Sequence, residues 1–152
     1  MPSAEQPLTG RCACGTVRFR VTEPFLSAGY CHCERCQHRS GVPWTFNGLV
    51  DASGFELTAG AGEVGNWVPD GGGRPKSFCR RCGGHVFGGD PEGGELIAVR
   101  LGAVDGDPEV EPSWRAWVSS APAWYPIPDD GLPRFPEGAG SARTQPGSTS
   151  EP

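Results

Sequence analysis

Residues 10–21 read G-R-C-A-C-G-T-V-R-F-R-V. In the second half Val17, Phe19 and Val21 alternate with Arg18 and Arg20, the two-residue period of a half-buried strand. The first half is a different device. Cys12 and Cys14 flank a single residue, so one tight turn aims two sulfurs at a common point while its backbone N–H groups remain able to hydrogen-bond them. A strand that leaves a sulfur clamp predicts a small β domain held by metal.

The clamp recurs. Cys31, Cys33 and Cys36 lie in C-H-C-E-R-C, and Cys79 and Cys82 in C-R-R-C, giving seven cysteines in all. A disulfide framework belongs to secreted chains and leaves an odd sulfur over. A redox C-x-x-C explains only Cys79 and Cys82, and it lacks the βαβ context such motifs occupy. Metal accounts for the whole set. A structural zinc takes four protein ligands and a reactive zinc takes three plus an exchangeable fourth, so seven thiolates divide as four and three. The compact triplet Cys31, Cys33, Cys36 needs no distant partner, whereas Cys12 with Cys14 and Cys79 with Cys82 are two pairs that can share one ion. That sharing ties the N-terminal strand to a hairpin near mid-chain, and in a glycine-rich domain the metal's binding free energy becomes folding free energy.

Outside the clamps, 152 residues at 36% hydrophobic content provide one modest core and a single domain. The 24 glycines and 16 prolines are scattered, which favours short strands and turns over long helices. The expected class is mostly β. Further strands are expected at Trp44 to Val50, Phe55 to Thr58, Val64 to Val68, Lys76 to Phe78, His85 to Gly88, Leu96 to Leu101 and Trp114 to Val118. Glu34 to Ser40, just before Gly41, is the one short helix. Residues 1–7 read as a loose leader, 8–136 as the folded domain, and 137–152, small and polar, as a disordered tail.

Net charge is −5, with no basic block. Seven thiolates holding two zinc ions take the formal total to about −8. Nucleic acid is therefore not an expected partner. No apolar run reaches the roughly 18 residues of a membrane span, and M-P-S-A-E-Q-P-L-T-G lacks the basic and apolar regions of a signal peptide, so the expected address is the cytoplasm with no membrane partner.

Three stretches carry a family resemblance: G-R-C-A-C-G-T-V-R-F at 10–19, Y-C-H-C-E-R-C-Q-H-R-S-G at 30–41, and F-C-R-R-C-G at 78–83. With W-V-S-S-A-P-A-W at 117–124 and L-P-R-F-P at 132–136, the chain resembles the glutathione-dependent formaldehyde-activating enzymes, the CENP-V/GFA domain. The resemblance implies a tent-like arrangement of antiparallel sheets, a structural zinc on Cys12, Cys14, Cys79 and Cys82, and a labile catalytic zinc on Cys31, Cys33 and Cys36. It departs at Arg115, where many members carry a histidine.

An ion with three thiolates and one exchangeable position binds an incoming thiol and keeps it ionised. The resemblance implies that glutathione and formaldehyde meet there to give S-hydroxymethylglutathione, formally a carbon–sulfur lyase run backward. Arg35 and Arg39, with Arg80 and Arg81, stand beside the clamps as carboxylate anchors or as solvated charges. Trp44 and Phe46 leave the triplet on one strand and are the aromatic candidates for the thiol or substrate pocket; the other large aromatics are expected in the core. His32 lies between two ligands and should point away from the metal, because neighbours in extended chain alternate. His38 and His85 are not assigned as ligands. The alternatives are a non-catalytic thiol-binding module and a purely structural zinc protein.

Overall fold

The computed structural model describes residues 1–138; most of the tail expected at 137–152 lies outside them. Ten strands and one α-helix follow in the order β1 (Leu8–Arg11), β2 (Arg18–Val21), β3 (Ser27–Cys31), α1 (Glu34–Ser40), β4 (Thr45–Asp51), β5 (Phe55–Ala59), β6 (Val64–Trp67), β7 (Lys76–Cys79), β8 (His85–Gly88), β9 (Leu96–Arg100) and β10 (Pro112–Ala116). The mostly β class and the single short helix are as the sequence indicates. Chain contacts resolve two compact units within the domain, one of Met1–Leu26 with Gly48–Glu109, the other of Ser27–Asn47 with the described residues from Val110 onward. Strand β4 begins in the second and ends in the first.

In the first unit β1, β2 and β5 form an antiparallel sheet, with Phe19 opposite both Gly10 and Leu57. The alternation read from 17–21 is realised: Val17, Phe19 and Val21 are buried, and Arg18 is exposed. Arg20 reaches across to Glu56, its directly paired neighbour, at 2.6 Å. The Phe19 ring stacks on Phe55 at 5.3 Å between centroids, and Phe55 meets Phe87 at 4.7 Å. A second run in the order β4-β9-β8-β7-β6 carries the buried Val86, Phe87, Ile97 and Val99. The amino terminus pairs with Glu109, and Pro2 is buried.

The second unit carries the order β10-β3-β4 with α1. One pair here is parallel: β10 runs alongside β3, with Arg115 opposite Tyr30 and Ala116 opposite Cys31. Gly29 is required at this seam. A Cβ there would lie 2.2 Å from the Trp114 ring and 2.5 Å from the Trp114 carbonyl oxygen. The strand expected at Trp114 to Val118 stops at Ala116, since Trp117 turns into the left-handed region (φ 58°) and starts a 3₁₀ turn at Val118–Ser120.

Candidate metal centres

Both sulfur groups assemble. In the first unit the C-A-C turn follows β1 and the C-R-R-C turn follows β7, and each is closed by a glycine in the left-handed region, Gly15 (φ 77°) and Gly83 (φ 74°). The first turn is pinned by Gly15 N–H donating to the Cys12 carbonyl (3.1 Å), the second by Gly83 N–H donating to that of Cys79 (2.8 Å). Backbone N–H groups then point at sulfur: Val17 donates to Cys12 Sγ at 3.3 Å and Gly84 to Cys82 Sγ at 3.4 Å. The four ligand atoms of Cys12, Cys14, Cys79 and Cys82 all lie within 4.8 Å of one another.

Spacing tests whether an ion fits. Tetrahedral metal with metal–sulfur bonds of about 2.3 Å separates its sulfurs by about 3.8 Å. Cys12 and Cys14 stand 3.6 Å apart, Cys14 and Cys79 3.8 Å. Disulfide sulfurs sit at about 2.05 Å, and all seven cysteines are free. The Thr16 hydroxyl, then its backbone N–H, pulls the Cys14 thiol down to about 6, and the Cys14 and Gly84 backbones pull Cys82 down too. Burial pushes Cys79 up to about 11. Together the four form a closed, partly ionised sulfur cage that suits a dication.

The second unit holds Cys31, Cys33 and Cys36, whose sulfurs also fall within 4.8 Å of one another. Cys31 ends β3, and Cys33 caps α1, its sulfur accepting from the Cys36 N–H at 3.4 Å. Cys36, one turn inward, is buried; Gly41 (φ 73°) ends the helix by donating to the Gln37 carbonyl. Sharing hydrogen bonds with Cys33, then Cys36, and burial push the Cys31 thiol well above the ordinary thiol range. For Cys33 the bond from Cys31 favours the thiolate, but Cys36 and burial outweigh it. Crowded thiols that resist ionising, as Cys31 and Cys33 do, are the arrangement that a bound cation reverses.

His32, between Cys31 and Cys33 in sequence, is fully buried, and its ring meets Arg115. Its Nε2 lies 3.2 Å from Arg115 Nη1. Arginine can only donate, so Nε2 accepts and the ring is neutral with its proton on Nδ1, which makes no hydrogen bond of normal geometry. Burial, then the Arg115 charge, holds the imidazole below its ordinary pKa, with the Pro43 carbonyl opposing. Arg115, 4% exposed, ion-pairs with Asp130 at 2.6 Å and lies 4.3 Å over the Tyr30 ring. Tyr30 stacks on Phe46 at 4.8 Å and meets Trp44 edge-on at 5.2 Å. The two aromatics singled out in the sequence thus join the residue preceding Cys31. Arg35 on α1 is exposed and Arg39 half-buried. Tyr30, Gln37, Arg115 and Asp130 carry no local motif that marks them as site residues; only the departure at Arg115 hints at one.

A separate groove of about 690 Å³ in the first unit, floored by Phe55, Leu57, Val64 and Phe87, contains none of the seven cysteines.

A model of the glutathione-dependent formaldehyde-activating enzymes matches residues 7–120. A protein of Halomonas elongata, provisionally named as such an enzyme, is 30% identical over 129 residues, covering 79% of this chain and 80% of that one. The crystal structure of a Rhodobacter sphaeroides protein superposes with a TM-score of 0.55 at 23% identity, over 65% of this chain and 89% of that one, and supports the fold. The chain belongs to the glutathione-dependent formaldehyde-activating enzyme family.

Proposed function

We propose that the protein joins a small aldehyde to a low-molecular-weight thiol, formaldehyde to glutathione, at the three-thiolate centre, with a second zinc in the four-thiolate cage serving stability. The observation that carries this reading is the asymmetry of the two sulfur groups. Among the described residues the cage offers four ligands and the other group three, with its nearest histidine turned away onto Arg115. A Zn²⁺ ion held by Cys31, Cys33 and Cys36 would supply Lewis acidity that favours the thiolate form of an incoming thiol at neutral pH.

The chain's own residues do the rest. The α1 turn holds Cys33 and Cys36 in one orientation, and Gln37 Nε2 braces it by donating to the His32 carbonyl (2.7 Å) and the Ser120 carbonyl (2.9 Å). Trp44 and Phe46 pack on Tyr30, the residue preceding Cys31, and are proposed to line the pocket for the thiol or substrate. Arg35 and Arg39, one residue before and three after Cys36, are proposed to receive the thiol's carboxylates. In the reaction the thiol sulfur forms a bond to the carbonyl carbon, the C=O π pair passes to oxygen, and the thiol proton ends there. No electrons are gained or lost, so the class is a carbon–sulfur lyase in the joining direction. This setting is cytoplasmic, where glutathione and thioredoxin keep thiols reduced.

The test is adduct formation, followed by NMR with zinc-loaded protein, glutathione and formaldehyde against a protein-free control. A rate above the control that disappears in Cys33→Ser supports the reading. A rate equal to the control with glutathione bound makes the protein a thiol-binding module, and equal rates without binding make it a structural zinc protein.

A further inference from the structure

The Cys31–Cys33 segment is held from behind as well as by its own turn. His32, between the two ligands, is fixed at three points. Its N–H donates to the Ala116 carbonyl at 2.9 Å, its carbonyl accepts from Gln37 Nε2 at 2.7 Å, and its ring Nε2 accepts from Arg115 Nη1 at 3.2 Å. Because side chains alternate along extended chain, Tyr30 and His32 share the face opposite Cys31, and one guanidinium serves both.

That guanidinium is itself immobilised. Asp130 Oδ2 accepts from Arg115 Nε (3.1 Å) and Nη2 (2.6 Å). The Arg115 backbone is bound on its outer side by donation to the Pro133 carbonyl (2.9 Å) and acceptance from the Phe135 N–H (2.8 Å), while β10 pairs with β3 on the other. Three of its five N–H donors are directed at Asp130 and His32 and its side chain is almost wholly buried, so it is not placed to bind a substrate carboxylate directly.

Resting on the metal reading above, we propose that Asp130, Arg115 and His32 form a relay of positioning residues that sets the geometry, and so the metal affinity, of the three-thiolate centre. Groups that orient ligands from behind typically control about 10–100-fold in metal affinity. The relay acts on the backbone carrying Cys31 and Cys33. The four-thiolate cage lies in the other compact unit, and none of its sulfurs belongs to this chain of contacts.

The experiment loads full-length protein with Co²⁺ and with Zn²⁺, and compares the parent with Arg115→Lys, Asp130→Asn and Asp130→Glu. The parent takes two ions. Arg115→Lys and Asp130→Asn weaken one of them about 10–100-fold in chelator competition and change the Co²⁺ ligand-field bands of that centre. The other ion and the thermal midpoint of the four-thiolate unit stay at parental values, and Asp130→Glu recovers the affinity. Asp130 is partly exposed, so its variants serve if Arg115→Lys misfolds. Two ions in the parent, with unchanged affinity and bands in both weakening variants, would overturn the relay alone; a parent that holds no ion at Cys31, Cys33 and Cys36 would overturn the functional reading and the relay with it.

Discussion

The sulfurs of Cys14 and Cys79, 65 positions apart in sequence, stand 3.8 Å apart in the fold. That separation matches two corners of a sulfur tetrahedron around zinc. Closing so long a loop costs chain entropy, and an ion that binds only the closed form returns it as stability. Apolar burial in a chain of this size leaves little margin, so the cage should decide whether the domain stays folded.

Cys82→Ser is expected to lower the thermal midpoint markedly, and stripping the cage with a strong chelator should do the same to the parent. Ligand linkage sets the scale: free zinc at 100 times its dissociation constant adds about 2.7 kcal/mol. Calorimetry across a zinc titration checks this. Equal midpoints for Cys82→Ser and the parent would contradict the role given to the cage.

Acidification should empty the centres in a fixed order. Cys31 and Cys33 are pushed up, so without an ion they are protonated at neutral pH, and metal must displace those protons. In the cage Cys79 is also pushed up, to about 11, but Cys14 is held near 6 and Cys82 is lowered, so a smaller share of its sulfurs must give up a proton to the metal. Lower pH therefore weakens both centres, and the three-thiolate centre more steeply. Zinc release to a chromophoric chelator from pH 8 to 6 should show that ion leaving first; parallel curves for the two ions would contradict the assignment.

Gly29→Ala should destabilise the second unit by about 3 kcal/mol, the upper end of the usual range for overpacking, because the obstacle includes the Trp114 backbone carbonyl at 2.5 Å, which no rotamer change can move. Denaturant unfolding monitored by tryptophan fluorescence measures it. The β3–β10 seam carries Cys31, so the three-thiolate ion should weaken in the same variant.

Trp44→Ala should raise the thiol concentration needed for half-maximal binding about tenfold while leaving two zinc ions per chain, since Trp44 touches Tyr30 and supplies no ligand. Isothermal titration with glutathione distinguishes this from a loss of metal.

How far the sequence could be read depended on what each residue's environment asks of it. Cysteines at one- and two-residue spacing have few uses, so the two sulfur groups could be written down beforehand. The α1 helix was legible too, because its C-cap Gly41 ends it where expected. Strand β1 carries no such signal, since L-T-G-R is short and holds Gly10, whose Cβ would strike the Phe19 ring at 2.1 Å. Strand β3 is silent for a related reason. S-A-G-Y-C shows no alternation because its first three residues are all buried, and Gly29 is there to admit Trp114. The parallel pairing of β10, and the placing of Arg115 behind His32, depend on contacts more than 80 positions apart. Local periodicity carries no trace of those.

Zinc counted per chain by native mass spectrometry, in the parent and in Cys33→Ser, addresses the division of seven sulfurs into a closed and an open centre most directly. The account predicts two ions in the parent and one in Cys33→Ser, with the variant still folded. One ion in a metal-replete parent, or two retained by Cys33→Ser, would contradict it.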